Sequence, residues 1–210
     1  MASDVTGVGT ARSALAACEY GGDKGIFGFG AAAGSYYGTN LVTNAGVVGS
    51  DVAIVGTGRL GLEACEYGGD KGIFGFGNDG SLSGVTNLVS NTGVVASDTA
   101  AVGTAREYPA ACGYGGDKGI FAFGADSGGV VAIENLVSNA GVVASDAAGV
   151  GTTRYTTAGC EYGGDKGIFG YGKNTYYSIT SLVSNAGVVA SDQAATTGTA
   201  RGFLAACSFN

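Results

Sequence analysis

Five cysteines, Cys18, Cys65, Cys112, Cys160 and Cys207, recur at nearly constant spacing. Thiolates drawn into a ring could bind a soft metal. The pattern argues otherwise: there is no CxxC pair, and an odd number forbids complete internal pairing. Small, buried apolar side chains are the plainer reading. Charged residues keep the same phase. Asp4, Asp51, Asp98, Asp146 and Asp192 each follow a serine, and Arg12, Arg59, Arg106, Arg154 and Arg201 come after them. Asp23, Asp70, Asp117 and Asp165 stand directly before Lys24, Lys71, Lys118 and Lys166. Stacked rings of charge could grip an ion or a ligand. Aspartates capping turns and arginines bridging neighbouring units would use the same residues for architecture, and the balanced set favours that. On a strand, the adjacent Asp and Lys side chains should point to opposite faces.

Histidine is absent, which removes the commonest general base and the commonest metal ligand. Strings such as GFGAAAG imitate pieces of dinucleotide-binding loops, but nothing helical follows them. No P-loop, GxSxG or paired catalytic group occurs. The sequence therefore predicts a protein that is not an enzyme, with no catalytic residues, no cofactor and no metal site.

These residues sit in a repeat. The stretch YGGDKGIFGFG at 20–30 returns unchanged at 67–77, as YGGDKGIFAFG at 114–124 and as YGGDKGIFGYG at 162–172. Taking the Ser-Asp pair as a ruler, the units are 3–49, 50–96, 97–144 and 145–190, followed by a partial fifth at 191–210. Each unit reads as four short strands: the apolar run ending in Cys and Tyr, KGIFGFG, TNLVSN and VVASDTAAV. A GGD turn and an Asn-Thr-Gly or Asn-Ala-Gly turn join the first pair and the last pair. Glycine makes up 42 of 210 residues and costs roughly 0.8–1 kcal/mol per interior helical position relative to alanine, so helix is not expected. Four strands per unit of about 47 residues predict an all-β fold, a single β-propeller domain over 1–210 built of four-stranded antiparallel blades, four full and one partial. The alternative is a four-bladed ring with surplus edge strands. The N-terminal MASDVTGVGTAR and the C-terminal LAACSFN could together make a reduced, two-stranded closing blade. Unpaired terminal strands also offer a route to oligomers.

TARSALAACEYGGDKGIFGFG resembles the stretch of kelch repeats in which an arginine precedes an apolar first strand, a short turn and a second strand ending in glycines. TNLVSN resembles the third kelch strand and the Ser-Asp segment the fourth. The double glycine closing the second strand reads Phe-Gly or Tyr-Gly here, and the usual tryptophan of the fourth strand is missing. Repeats with GGDKGIFGYG and NLVSNTGVV also resemble those of environmental phage and bacterial proteins of unknown role. In unit length and blade count the chain is similar to five-bladed lectin propellers. These resemblances imply a propeller, and the lectins a sugar ligand.

The units differ from one another in two places. One is the connection between the second and third strands, at 31–38, 78–85, 125–133 and 173–179; the other follows the arginine, at 13–15, 60–63, 107–110 and 155–158. In an up-and-down blade these two connections share one face, opposite both invariant turns. The changed residues include Tyr36, Tyr37, Asn78, Asp79, Tyr108, Asp126, Tyr155, Asn174, Tyr176 and Tyr177, with Glu107. Tyr, Asn, Ser and Gly on loops held by a rigid frame suit adaptable recognition, with aromatic faces for sugar rings and Asn or Asp for hydroxyls. Loops freed from constraint would vary in the same places. The expected ligand is a glycan or a protein, and the alternative function is a structural part of a larger assembly such as a phage tail or a surface appendage. A net charge of −7 disfavours nucleic acid and anionic membranes. No apolar run approaches the length of a membrane span, and the N-terminus lacks the look of a signal peptide, so no membrane insertion is expected. Nothing in the sequence names a compartment.

Overall fold

Ile, Phe, Val and Tyr set among glycines build short strands here, and no helix occurs among the described residues, which in this computed structural model are 6–194 and 198–208. Ser3 and Asp4 lie outside them. The strands are β1 (Ala16–Tyr20), β2 (Lys24–Gly28), β3 (Ala31–Ala32), β4 (Ser35–Tyr36) and β5 (Thr39–Val42) in the first unit, and β6 (Glu63–Tyr67), β7 (Lys71–Gly75) and β8 (Thr86–Val89) in the second. The third has β9 (Ala110–Tyr114), β10 (Lys118–Ala122), β11 (Ala125–Asp126), β12 (Gly129–Val130) and β13 (Glu134–Val137). The fourth has β14 (Ala158–Tyr162), β15 (Lys166–Gly170) and β16 (Thr180–Val183).

Each unit forms one open antiparallel sheet with its second strand in the middle, ordered β1-β2-β5, β6-β7-β8, β9-β10-β13 and β14-β15-β16. The register repeats: Cys18 faces Ile26 and Ile26 faces Leu41, as Cys65 faces Ile73 and Ile73 faces Leu88. The expected fourth strand is present only as two bridges per unit, such as Val89 to Val95 and Thr86 to Thr99. Five residues of one segment, 95–99, then face four of the other, 86–89, and that surplus interrupts the ladder as a bulge does. The pairs β3–β4 and β11–β12 are small hairpins inside the variable connections, which the four-strand reading did not foresee.

The apolar cores lie between sheets. Ala16, Tyr20, Ile26 and Phe29 of the first unit pack against Ala64, Phe74 and Val89 of the second. Cys65, Tyr67 and Ile73 meet Ala111, Phe121 and Val137, and Cys112, Tyr114 and Ile120 meet Phe169 and Val183. Glycine in the second strand makes this close approach possible: a Cβ on Gly75 would lie 2.8 Å from the Phe121 ring. Phe29, Phe76, Phe123 and Tyr171, each followed by a glycine, adopt left-handed φ of 61–64°. That conformation costs a non-glycine residue about 1 kcal/mol or more. The rings compensate, because Phe29, Phe76 and Phe123 make edge-on contacts with Phe74, Phe121 and Phe169 of the next sheet, at 5.3, 5.2 and 5.6 Å.

The phased charges knit the units together. Asp98 accepts hydrogen bonds from the Thr57 amide and hydroxyl and from Asn87; Asp51 and Asp146 do the same with Thr10 and Asn40, and with Thr104 and Asn135. Arg59 is fully buried, lies 4.5 Å above the Phe29 ring, and donates to the Phe76 carbonyl at 2.7 Å and to Asn87 at 2.7 Å. Arg106 and Arg154 sit likewise over Phe76 and Phe123. The adjacent Asp and Lys of the GGDK segment do not point apart: Asp117 meets Lys118 at 2.5 Å, and the other three pairs also touch. The aspartate occupies the turn rather than the strand, so strand alternation does not govern it. Its second oxygen accepts from an asparagine of the other invariant turn, Asp70 from Asn91 at 3.0 Å and Asp117 from Asn139 at 3.1 Å.

Candidate functional site

The two variable connections of each unit are hydrogen-bonded to each other. Ser13 pairs with Ala31, Leu60 with Asn78, Glu107 with Ala125 and Tyr155 with Lys173, each through reciprocal backbone bonds of 2.9–3.1 Å. A chain of backbone bonds then joins one unit to the next through the second residue after each arginine. The amide of Gly61 donates to Ala14, Tyr108 to Gly61, Thr156 to Tyr108 and Phe203 to Thr156. Ala14, Tyr108, Thr156 and Phe203 all hold left-handed φ of 50–59°, and Gly61 holds 62°. The varied residues are thereby mounted on one continuous backbone rim.

Part of the expected set comes together on that rim. The Tyr108 and Tyr155 rings lie 6.3 Å apart. The Lys173 ammonium stands 5.9 Å from the Tyr155 ring centre, 5.6 Å from Tyr176 and 5.6 Å from Phe203. Tyr176 and Phe203 are 55% and 65% exposed, leaving aromatic faces open to solvent beside a cation. Asn78 donates to Glu107 at 3.1 Å, linking the second and third units.

The others are held apart by local duties. Asp79 caps its own turn by accepting from Ser81, and Asp126 accepts from Gly128 and Gly129. Tyr36 ends the small β3–β4 hairpin with its Cβ against Gly58. The Tyr37 and Tyr177 amides bond back to Gly30 and Gly172. Asn174 is exposed. Lys173 and Phe203 were missed. A signal existed for the first: Lys173 is the one basic residue of the ten outside the repeating Arg and Lys phase.

A second concave site lies where the first strands converge. A cavity of about 390 Å³ is lined by Cys18, Cys65, Cys112, Cys160 and Cys207 together with Glu19, Glu66 and Glu161. Gly113 breaks the phase of the glutamates Glu19, Glu66 and Glu161, which hides the series in the sequence, and the Glu161 carboxylate leans over that glycine. Burial, then the charges of Glu161 and Glu19, push the Glu66 carboxyl up to about 7. Burial raises the Cys18 thiol to about 12 and holds Cys65 and Cys112 far above the ordinary thiol range. Thiols raised this far are weak nucleophiles at neutral pH. Among the described residues, no cluster of three or more Cys, Asp or Glu is arranged to hold a metal. Beside this cavity a smaller one contains Glu63, whose carboxyl burial pushes up to about 8.

Comparison with protein-family models and with curated proteins finds no match to this chain.

Proposed function

We propose that the four sheets are successive blades of an open, kelch-like β-propeller with an incomplete fifth place, and that the chain is a non-enzymatic recognition module binding a glycan through its variable rim. Two features support the propeller reading. The first strands of all four units and the segment 204–208 line one cavity. Consecutive units are also stitched twice, through the chain after the arginines and through the turns, where Gly21 donates to Asp70, Gly68 to Asp117 and Gly115 to Asp165.

The recognition reading is carried by the group formed by Tyr108, Tyr155, Lys173, Tyr176 and Phe203. Exposed aromatic faces stack on the apolar face of a sugar, and a lysine among them suits a carboxylate or sulfate on it. A glycan array probed with the purified chain tests this. Selective binding to acidic sugars, lost in Tyr176→Ala and Lys173→Ala, is the expected result, and neither substitution, at exposed Tyr176 or half-buried Lys173, should shift the unfolding midpoint appreciably. A blank array under multivalent display overturns the glycan reading. A second reading, a part of a larger assembly, is favoured by apolar side chains left open on the first and fourth sheets, where Phe27 is 40% and Tyr162 36% exposed.

A further inference from the structure

The rim carries its varied side chains in a single row. Within a unit, the residue after each arginine pairs with the residue after each Phe-Gly or Tyr-Gly, as Glu107 does with Ala125 and Tyr155 with Lys173. Between units, the glycine of that Phe-Gly or Tyr-Gly donates to the carbonyl of the next arginine. Gly77 bonds to Arg106 at 2.9 Å, and Gly124 to Arg154 and Gly172 to Arg201 at 3.0 Å. The row therefore runs Asn78, Glu107, Ala125, Tyr155, Lys173 from the second unit into the fourth. The side chains follow the backbone, because residues directly opposite in an antiparallel pair present theirs together on one face. Across the unit boundaries, Asn78 donates to Glu107 at 3.1 Å, and a Cβ on Gly202 would lie 3.3 Å from that of Lys173.

The chemistry of this row is uneven. Glu107 is its only acid and Lys173 its only base, and neither makes an ion pair among the described residues. One oxygen of Glu107 accepts from Asn78; the other has no partner among the described residues. Ala125 stands between that carboxylate and Tyr155, a small half-buried floor among larger neighbours. Tyr108, next to Glu107, holds its ring 6.3 Å from that of Tyr155. Asp79 and Asp126 are occupied by their own turns, and toward the first unit Ser13, Ala31 and Leu60 bring no charge. Open acceptor, small floor, aromatic rings and cation thus follow one another in that order.

We propose that Glu107 and Ala125 form a second sugar subsite beside Lys173, so that the rim takes an acidic oligosaccharide with a neutral sugar next to the charged one. This rests on the reading of the rim as a glycan site. The carboxylate or sulfate of one sugar meets Lys173 between Tyr155 and Tyr176. The adjoining neutral sugar lies over Ala125, and one of its hydroxyls donates to the open oxygen of Glu107. An ionised carboxylate is a strong acceptor for a hydroxyl, and it repels a second acid placed beside it. Glu107 thereby fixes the order of charges along the ligand, and Ala125 leaves room for the second ring. A single acidic sugar would reach Lys173 and leave both unused.

The test titrates the full chain, followed by NMR, with glucuronic acid, N-acetylneuraminic acid and a sulfated galactose. Each probe is used as its methyl glycoside and again joined to a neutral glucose or galactose. For the acid that binds, the disaccharide should be tighter than the monosaccharide by about tenfold, the worth of one hydrogen bond to a charged group. In Glu107→Ala, and separately in Ala125→Leu, that advantage should shrink to under about twofold, because the first removes the acceptor and the second fills the floor. Lys173→Ala should weaken monosaccharide and disaccharide alike. Equal affinity of the two in the parent chain, or an advantage that survives both substitutions, overturns the second subsite and leaves the glycan reading standing. A blank across every acidic probe overturns the glycan reading and the subsite with it.

Discussion

The buried arginines are the most demanding residues of the fold. Arg59 supplies the Phe76 carbonyl, the Thr57 carbonyl and the Asn87 side chain with donors inside a seam. Each acceptor left unsatisfied there costs about 1–3 kcal/mol, so Arg59→Met should destabilise the chain by at least about 3 kcal/mol in urea unfolding. Arg201 is exposed, and Arg201→Met should cost less than about 1 kcal/mol. Similar losses for the two would contradict the burial of Arg59 against the preceding unit. Glu63 gives a pH signature. Its folded value of about 8 lies above the ordinary 4.5, so its contribution to stability is fully present below about 4.5 and lost as pH rises through about 8. Glu63→Gln, which cannot ionise, should therefore gain stability relative to the parent across that window, and a pH-independent difference would remove the argument. The phase of the arginines was plain in the sequence. Their burial was not, because the rings that cover them, Phe29 over Arg59 and Phe76 over Arg106, belong to the preceding sheet, and no single unit reveals that stacking.

At the scale of the element, the second strand decides whether sheets can stack. Phe74 fills the space above Gly28, so Phe74→Ala should cost about 3–5 kcal/mol through the lost burial and the cavity left behind. Phe27 occupies the same place in its strand but is 40% exposed, and Phe27→Ala should cost under about 1 kcal/mol. Two identical substitutions at equivalent positions with unequal cost would be the thermodynamic mark of a first sheet left uncovered on that face. The first three strands and both invariant turns were legible from alternation and turn glycines. The fourth was legible only as a segment: Asp98 turns toward Thr57 and Asn87, and this link to the preceding connection lies beyond the reach of local periodicity. The β3–β4 and β11–β12 hairpins escaped notice because their two-residue strands leave no pattern to read.

For the whole molecule, repetition made the number of units legible and left their closure open. The two ends prove unequal. At the N-terminal side, Thr10 and Arg12 hold Asp51 and Asn40 much as Thr57 and Arg59 hold Asp98 and Asn87. At the C-terminal side, 204–208 reaches the shared cavity without joining a ladder. Each internal unit touches mainly its neighbours, so hydrogen exchange should show the second and third units best protected and the first and fourth less so, as in a stack with free ends. Uniform protection would mean that the exposed faces of the first and fourth sheets are covered in solution. The backbone bonds that climb from Ala14 through Gly61, Tyr108 and Thr156 to Phe203 all run in one sense. A tether attached at each terminus would load those rungs in series, each carrying the same tension. Stretched in this way, the protein should pay out its length one unit at a time, like a coil of rope.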